Sequence, residues 1–139
     1  ALLAYLSVER ARPHSRETLA ALFWPDRPEP LPRKNLRDAL ANLRKVLRDG
    51  EMEPPFLSIS RWDLRFNPQS DYWLDVEAFA GWIEEAHAHR HRRVETCRPC
   101  VRRMEQAVAL YRDDFLSGLV VNGSPRFHDW LIIRQERYR

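Results

Sequence analysis

The sequence predicts a mainly α protein: a winged helix-turn-helix with a β-hairpin wing over residues 1–68, then an α-helical, tetratricopeptide-like module over residues 72–139. Three observations lead there. Apolar residues recur at helical spacing through most of the chain. One helical stretch, "RKNLRDALANLRKVLRDG" (33–50), carries its bases in a stripe beside the apolar seam. The next stretch, "PPFLSISRWDLRFNP", switches to alternation, as a short hairpin does.

At 139 residues and 44% hydrophobic, the chain fills one compact domain or two small ones. It has no apolar run of about 18 residues, so no membrane partner is expected. Two cysteines in a charged chain do not make a secreted disulfide scaffold, and the cytoplasm is the expected compartment. The chain opens inside "ALLAYL" and stops inside "LIIRQERYR", so it reads as a piece of a longer protein whose helical module continues. The net charge of +3 hides a pattern: +4 over residues 1–50, −6 over 51–86 and +5 over 87–139. A basic first third is the electrostatic footprint of a nucleic-acid contact.

The elements follow in order. A short apolar helix begins at "ALLAYL", with Leu2, Leu3, Tyr5 and Leu6 as its core. In "HSRETLAALFWP", Ser15 is placed to cap a second helix, Thr18 stands where a capping-box acid would sit, and Glu17 suits the N-terminal dipole. Leu19, Leu22 and Phe23 form its buried face and Pro25 stops it. Prolines at 25, 28, 30 and 32 then imply a stiff, extended loop, longer than the turn of a simple helix-turn-helix.

In the third helix, Leu36, Leu40, Leu43 and Leu47 form the seam, and Gly50 is the expected stop. Arg33, Arg37, Arg44 and Arg48 lie in a stripe beside it, extended by Lys34 and Lys45, with Ala41 in the middle. A solvated face usually mixes acids and bases; here Asp38 is the sole acid before the helix end. Lys and Arg are also good helix formers on any wet surface. Leu57 and Ile59, then Leu64 and Phe66, alternate around a Ser60–Asp63 turn with Arg61 near its tip. Helix, helix, loop, basic helix, hairpin is the order of a winged helix, which puts the basic helix in the recognition position. There Arg pairs bidentately with guanine, Ala41 meets a thymine methyl, and Arg61 adds a phosphate or minor-groove contact. The expected partner is double-stranded DNA.

The second module starts at "SDYWLDVEAFAGWIEEAHAH", with Asp75 as N-cap and Val76, Phe79, Trp82 or Ile83, and Ala86 as seam. "CVRRMEQAVALYRDDFLSGL" gives a second helix lined by Val101, Met104, Ala107 or Val108, and Tyr111. Ser124 and Pro125 open a third, carrying Phe127, Trp130, Leu131 and Arg134. Trp62, Trp73 and Trp82 are expected to pack in the core or hairpin. Between the first two helices, "HAHRHRRVETCRPC" holds His89, His91, Cys97 and Cys100, a complete donor set for one structural Zn²⁺. His-x-His converges only if the first helix ends around Ala88; if it continues, His87 and His91 make the better pair. A wet basic loop with incidental cysteines is the competing reading. A redox C-x-x-C is a third, without its usual βαβ context.

The stretches "LLAYL", "HSRETLAALFWPD", "NLRDALANLRKVL", "DYWLDVEAFAGW", "AVALYRDDFLSGL" and "FHDWLIIRQERYR" together resemble the bacterial transcriptional activator domain family, which includes antibiotic-pathway activators of streptomycetes. The resemblance spans nearly the whole chain. It implies an OmpR-like winged helix joined to a tetratricopeptide-like activation domain, binding to tandem half-sites as a homodimer, and a proline loop that faces RNA polymerase. Asp113 departs from the family's usual Gly at that place, and the N-terminal strands of the OmpR-like fold are missing. No phosphate-binding G-x-x-x-x-G-K-S/T and no nucleophile-elbow pattern is present, so an enzyme is not expected. The expected function is sequence-specific DNA-binding transcriptional regulation, as an activator. The alternative is a protein-interaction scaffold of a larger signalling ATPase, in which the winged helix does not bind DNA.

Overall fold

A computed structural model of the chain describes residues 1–90 and 93–139. It is mainly helical, with a small three-stranded antiparallel sheet. The chain forms two compact units, residues 1–72 with 118–131, and residues 73–117 with 132–139.

In the first unit the order is α1 (Leu2–Val8), β1 (His14–Ser15), α2 (Arg16–Phe23), α3 (Leu31–Val46), β2 (Leu57–Ile59) and β3 (Asp63–Phe66). The strands lie in the order β1-β3-β2, with Leu57 opposite Phe66 and His14 opposite Leu64. Ser15 caps α2, its Oγ accepting the Thr18 N–H at 3.0 Å. The strand β1 is too short to show an alternating pattern, and its two residues read as part of the helix start in sequence. Leu6, Leu19, Leu36 and Leu64 are fully enclosed, with Leu40, Leu57 and Phe66 around them. Each such side chain contributes about 1.5–3 kcal/mol of burial. Ile59, expected in the alternating face, is exposed beside the turn of the hairpin.

Three expectations for α3 change. The helix begins at Leu31, because Pro32 fits the first turn, where no N–H partner is needed. The proline segment is correspondingly shorter and is made of turns rather than extended chain. The helix ends at Val46, and Arg48, not Gly50, takes the left-handed conformation (φ 51°) that reverses the chain. That reversal carries Asp49 into the core below β2.

The segment 118–131 belongs to the first unit, so this boundary differs from the expected 72–139 module. Phe127, in the first turn of α6 (Pro125–Tyr138), is 1% exposed and packs against Phe23 with ring centres 5.2 Å apart. Ser124 donates its hydroxyl proton to the Leu22 carbonyl, and Trp130 donates its indole N–H to Glu9 at 2.7 Å.

The second unit contains α4 (Asp75–Ala88) and α5 (Arg98–Leu110), packed together, with the last residues of α6. Asp75 is the first helical residue, and Leu74 holds the cap position. The Asp75 carboxylate accepts the adjacent Val76 N–H at 2.8 Å. Ala86 on α4 and Cys100 and Ala107 on α5 are its buried positions. Of the expected seam of Val101, Met104, Ala107 or Val108, and Tyr111, Ala107 is the buried alternative and Val108 is 71% exposed; Val101, Met104 and Val108 line an open apolar groove with Val94. The α5 helix stops at Leu110, well short of the apolar pattern's end. Beyond it, Tyr111 donates to Asp114 at 2.9 Å and Asp113 accepts the Asp114 N–H at 2.7 Å. Such local bonds compete with helix continuation.

Candidate nucleic-acid interface and metal centre

The basic face of α3 is built by its periodicity. Leu36 and Leu40 enter the core, and Arg33, Lys34, Arg37, Ala41, Arg44 and Lys45 lie in the stripe beside and beyond that seam, all six exposed. Arg48 is exposed too, but it lies past the helix end and leaves the stripe.

The face is not uncompensated. Arg33 lies 3.6 Å from Glu29, and Arg37 lies 3.8 Å from Asp38. Both pairs are solvent-exposed and loose, the kind worth little in stability and easily exchanged for another anion. Arg44 is different. Its Nε lies 3.7 Å from Asp49, whose carboxylate is 3% exposed and also accepts the Leu57 N–H at 3.1 Å. Asp49 therefore ties the end of α3 to the first residue of β2. Asp49 was missed in sequence because a single acid in a helix-end loop has no periodic signature.

The hairpin tip is firmly built. Ser60 Oγ accepts the Trp62 and Asp63 N–H groups at 3.1 and 3.0 Å, and donates to the Asp63 carboxylate at 2.8 Å. From the start of α2, Arg16 donates its backbone N–H to the Trp62 carbonyl (2.9 Å) and its Nε to the Ser60 carbonyl (3.2 Å). Arg61 is exposed, its guanidinium 4.9 Å from the centre of the Trp62 ring. Trp62 is 72% exposed and Trp73 68%, so neither is the packing residue expected.

In the second unit, α4 ends at Ala88, and His89 takes an extended backbone (φ −74°, ψ 126°) as its C-cap. This is the ending that a His89 ligand requires; His87 stays in the last helical turn. Cys97 caps the start of α5 and Cys100 sits in its first turn. His89 Nδ1 lies 3.2 Å from each of the two sulfurs, and the three donor atoms are all within 4.8 Å of one another. His91, the fourth expected ligand, lies outside the described residues. Cys100 is enclosed, its thiol directed to the Ala86 carbonyl at 3.7 Å. Burial, followed by the neighbouring Cys97, raises the Cys100 thiol above its ordinary pKa. The three side chains can hold a metal ion.

Among the described residues no helix is long and apolar enough to cross a membrane. No protein-family model and no curated protein matches the chain.

Proposed function

We propose that the protein is a sequence-specific DNA-binding transcriptional regulator, an activator, whose recognition helix is α3. The observation that carries this reading is the exposed basic stripe of α3, set beside the buried Leu36 and Leu40 and followed by a hairpin with Arg61 at its tip. The element order α1-β1-α2-α3-β2-β3, with β1 joining the hairpin as a third strand, supports a winged helix. Arg33, Arg37 and Arg44 carry the directional donors for base edges. Lys34 and Lys45 act as point charges toward phosphate, with Arg48 and Arg61 as flanking contacts. The loose partners of Arg33 and Arg37 are released on binding. The helical second unit serves as a tetratricopeptide-like activation module, the proline segment 25–32 faces RNA polymerase, and a homodimer occupies tandem half-sites; all three rest on the family resemblance.

A specific observation favours a second reading, a winged helix used for protein docking. Three of the bases on or beside the α3 face already have acidic neighbours in Glu29, Asp38 and Asp49. Selection from a random duplex pool separates the two. DNA reading predicts an enriched sequence, and Arg37→Ala weakens its binding by about 1–3 kcal/mol. Absence of any enriched sequence, with the fold intact, favours docking.

A further inference from the structure

We infer that His89, Cys97 and Cys100 are ligands of one structural Zn²⁺ that fastens the end of α4 to the start of α5.

The argument is geometric and stands apart from DNA binding. The three donors come from the two sides of one connection: His89 closes α4, while Cys97 and Cys100 open α5. The sulfurs reach His89 through the same ring nitrogen, Nδ1, at 3.2 Å each. One nitrogen equidistant from two sulfurs is more than a hydrogen bond needs, and it is the arrangement around a shared ion. In a tetrahedral site with Zn–S near 2.3 Å and Zn–N near 2.05 Å, ligand atoms stand about 3.6 Å apart. The two nitrogen–sulfur distances need to open by only a few tenths of an ångström, and all three donor atoms already lie within 4.8 Å of one another.

The donor chemistry selects the ion. Two thiolates and an imidazole are soft to borderline ligands and exclude calcium and magnesium, which take oxygen. The two sulfurs are turned toward one point by C-x-x-C at a helix start. Cys100 is fully enclosed and Cys97 half-buried, while His89 is exposed, so the ion would sit at the rim of the unit.

The site also answers a local need. Besides their apolar contact, α4 and α5 are joined by the Arg103–Glu85 pair at 2.7 Å, which is largely exposed and contributes little, and by the Cys100 thiol directed to the Ala86 carbonyl. The buried positions there are small, Ala86, Cys100 and Ala107. A hairpin with so modest a core gains from a metal whose binding free energy is folding free energy.

The test uses the full chain purified without a polyhistidine tag. Elemental analysis should find about one zinc per chain, and chelation should lower the melting temperature and expose both thiols to a thiol reagent. Cobalt loading should give the strong visible bands of a tetrahedral thiolate site. Cys97→Ser and His89→Ala lie at partly or fully exposed positions. Each should weaken zinc by more than the roughly 100-fold that loss of a supporting hydrogen bond costs a metal site. Wild-type protein that takes up neither zinc nor cobalt overturns the proposal, as does a mass showing a Cys97–Cys100 disulfide in protein kept reduced. A His89→Ala variant with unchanged zinc affinity and cobalt spectrum overturns the assignment of His89.

Discussion

Asp49 and Leu57 are joined by a buried hydrogen bond, the Asp49 carboxylate accepting the Leu57 N–H at 3.1 Å while its other oxygen faces Arg44 at 3.7 Å. This one side chain sets where the hairpin leaves the basic helix. Asp49→Ala strands a buried N–H and should cost about 1–3 kcal/mol in denaturant unfolding. Asp49→Asn keeps an acceptor and loses only the pairing to a largely exposed Arg44, so it should cost less than about 1 kcal/mol. Equal losses for both variants would show that charge, not the bond to Leu57, is what Asp49 supplies.

Phe127→Ala tests the assignment of segment 118–131 to the first unit. The ring is enclosed and packed at a tilt against Phe23, so its removal should cost about 3–5 kcal/mol. Hydrogen exchange should locate the loss in α1, α2 and α3. Loss of protection in α4 and α5 instead would place Phe127 with the second unit.

Acid should weaken the second unit through Asp114. The Tyr111 hydroxyl and then the Arg139 guanidinium, at 2.9 Å each, hold its carboxyl below the ordinary carboxylate value. A folded pKa below the unfolded one means stability that is complete above the ordinary carboxylate range and is lost as pH falls through the folded pKa. Asp114→Asn should remove that part of the pH dependence while leaving the melting curve at neutral pH only slightly lowered. An unchanged acid profile in the variant would contradict this.

The parts of the fold that repeat were legible in the sequence. Leu36 and Leu40 declare α3 by their spacing, Leu57, Leu64 and Phe66 declare the hairpin by alternation, and Ser15 declares the start of α2 by its chemistry. What stayed hidden depends on single partners far along the chain. His14–Ser15 becomes a strand only because Leu64 and Asp63 lie beside it. Asp49 matters only because the Leu57 N–H is there. The α5 seam left Ala107 and Val108 as alternatives because that helix has apolar residues on two sides; the small Cys100 and Ala107 are the ones that face inward. At the candidate metal site the decisive feature was the helix end at Ala88, which the sequence posed as a condition and the backbone meets.

The salt dependence of DNA binding tests the central claim most directly. With a duplex enriched from a random pool, the logarithm of affinity should fall linearly with the logarithm of salt concentration. Lys34→Ala and Lys45→Ala should each lower that slope by about one and weaken all sequences alike, while Arg37→Ala should weaken the enriched sequence in particular. Binding whose salt slope is the same in the wild type and in the Lys34→Ala, Lys45→Ala double variant would contradict the placement of DNA on α3.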